Sequence, residues 1–89
     1  MKRPTIVKTQ HYSKSVSATN ANYATGTIDV SWSGYTPVGV VQYVGGTNSV
    51  DFWITRAVIS GNNLNFTVKR ASSGTWTTTV EFDVLFISE

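Results

Sequence analysis

The chain contains one histidine, His11, and no cysteine. Nucleophilic catalysis of the Ser–His type and a histidine-based metal site would both have to run through this residue. No acidic residue stands near it in sequence to orient the ring or share a metal. His11 is therefore expected to be exposed or a structural hydrogen-bonder. Glu81 and Asp83 form the one carboxylate pair with suggestive spacing. At i, i+2 on a strand they share a face with Cα atoms roughly 6.5–7 Å apart. A glycosidase-like pair or an oxygen-ligand calcium site is conceivable at that spacing. The plainer reading is the solvent-facing half of an amphipathic strand, facing Lys69 across a hairpin. It is preferred because a small domain rarely forms the deep cleft a hydrolase needs. The stretches GNN and GGTN are turn chemistry rather than phosphate loops, since neither opens a helix. The expectation is a non-enzymatic protein with no catalytic residue, cofactor or metal.

What remains is a surface able to bind. Among the aromatics are Trp32, Trp53, Trp76 and four each of Tyr and Phe. Phe52, Phe66, Phe82 and Phe86 fall at strand positions suited to a core, and Trp32 ends an inward-facing series at the core or its edge. Trp53 lies opposite the Phe52 face, beside Asp51 and Thr55, and Trp76 follows the ASSGT segment. An aromatic ring beside Asn, Asp or Arg suits carbohydrate: the ring stacks on C–H groups while planar polar groups read hydroxyls. Trp53, Trp76, Tyr43, Asp51, Arg56 and Asn63 are the candidate ligand contacts. Against this stands the reading that Trp53 packs with Tyr43 in an oligomer interface and Trp76 plugs the end of the fold.

These residues must be carried by a small all-β frame. At 89 residues the chain is one domain, which buries roughly 60–65% of its unfolded surface, and without cysteine no disulfide supports it. No stretch approaches the roughly 20 apolar residues of a membrane helix. Lys2 and Arg3 precede no apolar run, so no cleaved leader is expected. Lys2, Arg3, Lys8 and Lys14 give the first fourteen residues a charge of +4, and the rest of the chain carries −2. A nucleic-acid-binding face would place cations on folded strands among aromatics. Here they concentrate in a leading segment, so residues 1–17 are expected to be a basic arm or first strand that docks onto a partner. Residues 18–89 form the β domain.

β-branched and aromatic residues recur throughout, and turn signals return about every ten residues. Strands are expected over 5–17, 25–32, 37–44, 50–59 and 64–70, and from the TTTV segment to the end. NANYATG, SGYTP, GGTN, SGNN and ASSGTW separate them. Within 50–59, Val50, Phe52, Ile54 and Val58 would share a face, a series that Arg56 interrupts. The frame expected is a six- to seven-stranded antiparallel β-sandwich or small barrel. Strand 37–44 and the closing Val84, Leu85, Phe86 and Ile87 are apolar on both faces, more than one core accommodates. A second apolar face is best covered by an interface, so Val84, Leu85, Phe86, Ile87 and Val41 are expected at the contacts of a homo-oligomer. The competing reading is that a closed barrel and the N-terminal arm accommodate them within one chain.

The stretch from Gly34 to Arg70, with the closing VEFDVLFIS, resembles a C-terminal domain of tail and baseplate proteins from phages of Gram-positive bacteria. Gly34, Tyr35, Pro37, Gly39, Val40 and Val41 match its G-Y-x-P-x-G corner, SGNN its central hairpin, and Val84 to Ile87 its closing strand. The resemblance spans residues 26–88 and is similar in architecture to the trimeric H-type lectins. It implies a homotrimer in a phage virion, extracellular when acting, that contacts cell-surface carbohydrate. Other virion proteins would then be the neighbours at the basic arm, and from the charge and apolar pattern neither nucleic-acid binding nor membrane insertion is expected. The alternative is a purely structural protein that decorates or assembles a virion without reading a glycan.

Overall fold

The computed structural model describes residues 4–44 and 52–89, with the side chains of 42–44 left aside. Four strands make one antiparallel sheet: β1 (Val7–Asp29), β2 (Tyr35–Val44), β3 (Phe52–Ser60) and β4 (Asn63–Ser88). β4 is the spine. It pairs with β1 from Val7↔Ile87 to Asp29↔Asn63. Along its other edge it pairs with β2 through residues 81–88 and with β3 through residues 63–70.

The alternation of β4 dictates where the core lies. Leu64, Phe66, Val68, Trp76, Val80, Phe82, Val84 and Phe86 are all buried, and Thr78 is buried among them. The odd positions between carry Asn65, Thr67, Lys69, Thr77, Glu81 and Asp83, the wet face that period-two side chains produce. β1 contributes Val16, Ala24 and Ile28, and Val30 follows it. At Gly26 the inner face has no room: a Cβ there would stand 2.5 Å from Cζ of the buried Phe66. The strand holds glycine because the ring occupies the space a side chain would need.

The ribbon of β1 and β4 doubles back. Residues 66 and 82 of a straight strand would be roughly 50 Å apart, yet the Phe66 and Phe82 ring centroids are 5.2 Å apart. The bend lies where the ladder loses register, between Ala18 and Ala21 and between Ala21 and Tyr23. Between the pairs Ala21↔Gly74 and Tyr23↔Lys69, β4 uses more chain than β1. Asn20 adopts φ +52° there, a left-handed conformation that Asn tolerates better than most residues. The Trp76 indole N–H donates to the Ala21 carbonyl at 2.9 Å, fastening the inside of the bend.

This architecture corrects the strand count. NANYATG and ASSGTW are bends within β1 and β4, not loops that end them. Local turn chemistry marks both outcomes alike, and only the ladder on either side distinguishes them. The boundary expected at 17/18 falls inside β1, with no break in pairing there. Lys2 and Arg3 lie outside the described residues.

The phase of β3 is also corrected. A register shift between Ile54 and Arg56 turns Ala57 and Ile59 towards the core and leaves Val58 41% exposed. Arg56, which interrupted the apolar series, marks that bulge.

The closing strand needs no second core for all its apolar residues. Val84 and Phe86 are fully buried within the chain, so they are core rather than interface. Leu85 and Ile87 point to the other face and are half-buried. Val41 is 57% exposed.

Candidate functional site

An open depression lies at one end of the fold, where three local structures converge. β1 ends on Asp29, whose Oδ1 accepts the backbone N–H of Ser31 at 2.9 Å and the Ser31 hydroxyl. This Asx-turn bends the chain away from the sheet. The same bonds hold the Asp29 carboxyl below its ordinary pKa, the hydroxyl contributing most. The chain then reverses through Trp32–Tyr35, with Tyr35 N–H donating to the Trp32 carbonyl at 2.9 Å. Gly34 sits at φ +84°, the position where a type II turn requires a residue free to enter positive φ.

The turn sets the Trp32 and Tyr35 rings 4.7 Å apart at 30°. Phe86 supports the indole edge-on from the core at 5.2 Å. The third contributor is the β3–β4 hairpin, whose two-residue loop has Gly61 at φ +61°, as a II′ turn demands at its first central residue. The Val30 N–H donates to the Asn62 carbonyl at 2.9 Å, bringing that loop beside the aromatic turn.

Together Ser31, Trp32, Ser33, Tyr35, Asn62 and Glu89 line an open depression of about 420 Å³. The Glu89 carboxylate accepts from Thr36 Oγ1 at 3.3 Å. The Lys8 ammonium lies 5.3 Å from the centroid of each ring, a cation–π position. The depression thus gathers two aromatic residues with Ser31, Ser33, Asn62 and Glu89, a composition suited to a small polar ligand. Sequence reasoning placed Trp32 at the core edge and passed over Asn62 and Glu89. The SGY turn with its glycine was the available signal.

The residues expected to bind ligand are distributed differently. Trp76 is 7% exposed and packs against Phe52, ring centroids 5.1 Å apart and planes tilted by 60°, so it is a core residue and not a ligand contact. Trp53 is 43% exposed. Arg56 and Asn63 are exposed on the same outer face, but Asn63 stands at the turn end of the hairpin while Trp53 pairs with Lys69 further along. Asp51 and the side chain of Tyr43 lie outside the described residues.

The expected neighbours of Glu81 and Asp83 change as well. Across the ladder stand Ser13 and His11, not Lys69. His11 Nδ1 is 2.6 Å from Asp83 Oδ1, and Nε2 is 3.0 Å from Glu81 Oε1. Carboxylate oxygens at both ring nitrogens require an N–H at each, so this geometry belongs to the imidazolium. A ring so engaged has no lone pair with which to act as a base or bind a metal. Among the described residues no group of His, Asp and Glu is arranged to hold a metal ion.

The hydrogen bond to Asp83, then that to Glu81, raises the His11 pKa above its ordinary 6.5. A raised folded pKa gives a contribution to stability that is complete below the unfolded value and lost as pH rises through the folded one. Wild type is therefore expected to lose stability relative to His11→Gln as pH climbs from about 6.5 through that raised value. Urea midpoints of the two proteins across this range test it, and a constant difference would refute it.

Among the described residues no helix is long and apolar enough to cross a membrane. No family model, curated protein or solved structure matches the chain.

Proposed function

We propose that this chain is a non-enzymatic carbohydrate-binding module, and that it acts as a homotrimer within a phage virion. The observation that carries the binding reading is that the Trp32–Tyr35 pair, Asn62 and Glu89 line one depression. A sugar has an apolar C–H face and a rim of hydroxyls, and these are the two kinds of contact the depression offers. In this reading the doubled-back ribbon, with β2 on one limb and β3 on the other, makes a one-chain β-sandwich. The trimer is supported by the outward Val41 and Val7, 57% and 58% exposed, on strands flanking the limb of β4 that carries Leu85 and Ile87. The virion setting rests on the sequence resemblance of residues 26–88. A three-fold array would convert weak single-site binding into avidity.

A glycan array probed with the wild-type protein, followed by calorimetry on the best ligand, tests the binding reading. Trp32→Ala is expected to weaken binding at least about tenfold, or ~1.4 kcal/mol. Asn62→Ser, which keeps the backbone carbonyl that accepts from Val30, should also weaken it without shifting the melting temperature. No binding to any glycan by a protein of trimeric mass in light scattering would transfer the case to the structural alternative, virion decoration through the same apolar residues. A monomeric mass would remove the trimer and its avidity.

A further inference from the structure

The outer face of the β1–β4–β3 limb carries a second arrangement, which only the register makes visible. Lys69 pairs with Tyr23 on one side and Trp53 on the other. Directly paired residues project from the same face, and Lys69 is exposed between the buried Val68 and the half-buried Arg70. Tyr23 is 53% and Trp53 43% exposed. Two strand spacings separate them, roughly 9.6 Å. The result is a row of ring, ammonium and ring across a three-stranded surface.

In the next row Thr67 pairs with Thr25 and Arg56. The row after it has Asn65 paired with Thr27 and Val58, and the Thr27 hydroxyl donates to Asn65 Oδ1 at 2.8 Å. That bond fixes the amide and turns its N–H₂ away from Thr27. Among the described residues neither Lys69 nor Arg56 forms an ion pair. Among the described residues the carboxylate on this part of the face is Asp29, three rows from Lys69, roughly 20 Å away. That exceeds the screening length of about 8 Å at physiological salt, and Asp29 is engaged with Ser31.

We infer that this face binds an extended acidic polysaccharide, with Tyr23 and Trp53 stacking on sugar rings and Lys69 and Arg56 meeting its carboxylates. The ratio of groups selects the ligand. Two cations among several hydroxyls and an amide match a polymer rich in hydroxyls with an occasional charge. Single-stranded nucleic acid carries a phosphate at every nucleotide and calls for a denser run of cations. An exposed sheet face suits a chain that runs across it, whereas the end depression suits a small group. The inference rests on the carbohydrate reading above but not on the depression.

The test uses the full chain against polygalacturonate, alginate and hyaluronate, with methyl-esterified polygalacturonate and a dT20 oligonucleotide as the other arms, by affinity electrophoresis and calorimetry. At least one acidic polysaccharide is expected to bind, with Tyr23→Ala and Trp53→Ala each weakening it tenfold or more. Lys69→Gln and Arg56→Gln should weaken it and flatten its salt dependence, while Asn62→Ser leaves it unchanged. These side chains are exposed, and an unchanged melting temperature shows that each variant is folded. Equal binding of the methyl ester, tighter binding of dT20, or no binding of any acidic polysaccharide would each overturn the inference. So would wild-type affinity in the folded Tyr23 and Trp53 variants. If neutral glycans still bind in an Asn62-dependent way, the depression stands while this face falls.

Discussion

Phe82→Ala is expected to destabilise the protein by about 3–5 kcal/mol, as truncation of a fully buried aromatic typically does. Phe82 is completely buried and packs on Phe66 at 5.2 Å, the contact that closes the two limbs of the ribbon on each other. A small domain has a net stability on the order of 5–15 kcal/mol, so the variant would lose a large part of it. Urea denaturation followed by tryptophan fluorescence provides the measurement. A loss below about 1 kcal/mol would mean that the two limbs do not depend on this contact. The companion variant Phe66→Ala should cost a similar amount, and the double variant less than the two losses added, because the residues share one contact.

Trp76→Ala is the second large effect, again about 3–5 kcal/mol. The indole is buried against Phe52, and it supplies the N–H that satisfies the Ala21 carbonyl inside the bend. Trp76→Phe separates the two contributions. It keeps an aromatic ring but removes the donor, and should cost roughly 1–3 kcal/mol for a polar group left without its partner. A surface ligand contact would behave in the opposite way: Trp76→Ala would leave the denaturation midpoint alone and diminish glycan binding only.

The contrast between these tryptophans shows what was legible in the sequence. Strand character, the clean alternation of Leu64, Phe66 and Val68, and the SGNN turn were all legible, because each is decided by neighbouring residues. The fate of a turn signal was not. Asn20 with its positive φ and the residues near Gly74 bend a ribbon without ending it, and that depends on hydrogen bonds to residues far along the chain.

Partnerships across the ladder were hidden for the same reason. His11 meets Asp83 and Glu81, and Tyr23 meets the Trp53 row through Lys69, at separations where local periodicity says nothing. The terminal run Val84 to Ile87 was legible as apolar on both faces. Its even residues are satisfied at home, so only half of that apolar signal points outward. The depression formed by Trp32, Tyr35 and Asn62 was half legible: the turn could be read, but the approach of the hairpin loop through the Val30–Asn62 bond could not.

The continuous β1–β4 ladder also sets an order of assembly. Asp29↔Asn63 spans less than half the sequence separation of Val7↔Ile87, which joins nearly opposite ends of the described chain. Closing a long loop first is entropically dear, but each pair made beyond an existing one closes only a little more chain. Pairing should therefore start at the β3–β4 hairpin and Asp29, then travel outward through the bend to His11 and Asp83. Contacts this non-local place the protein among slow folders, on the order of milliseconds to seconds. Substitutions at Ile59 or Leu64 should then slow folding, while those at Val16 or Val84 speed unfolding. Stopped-flow chevrons showing the reverse assignment would mean that the chain closes from its far end.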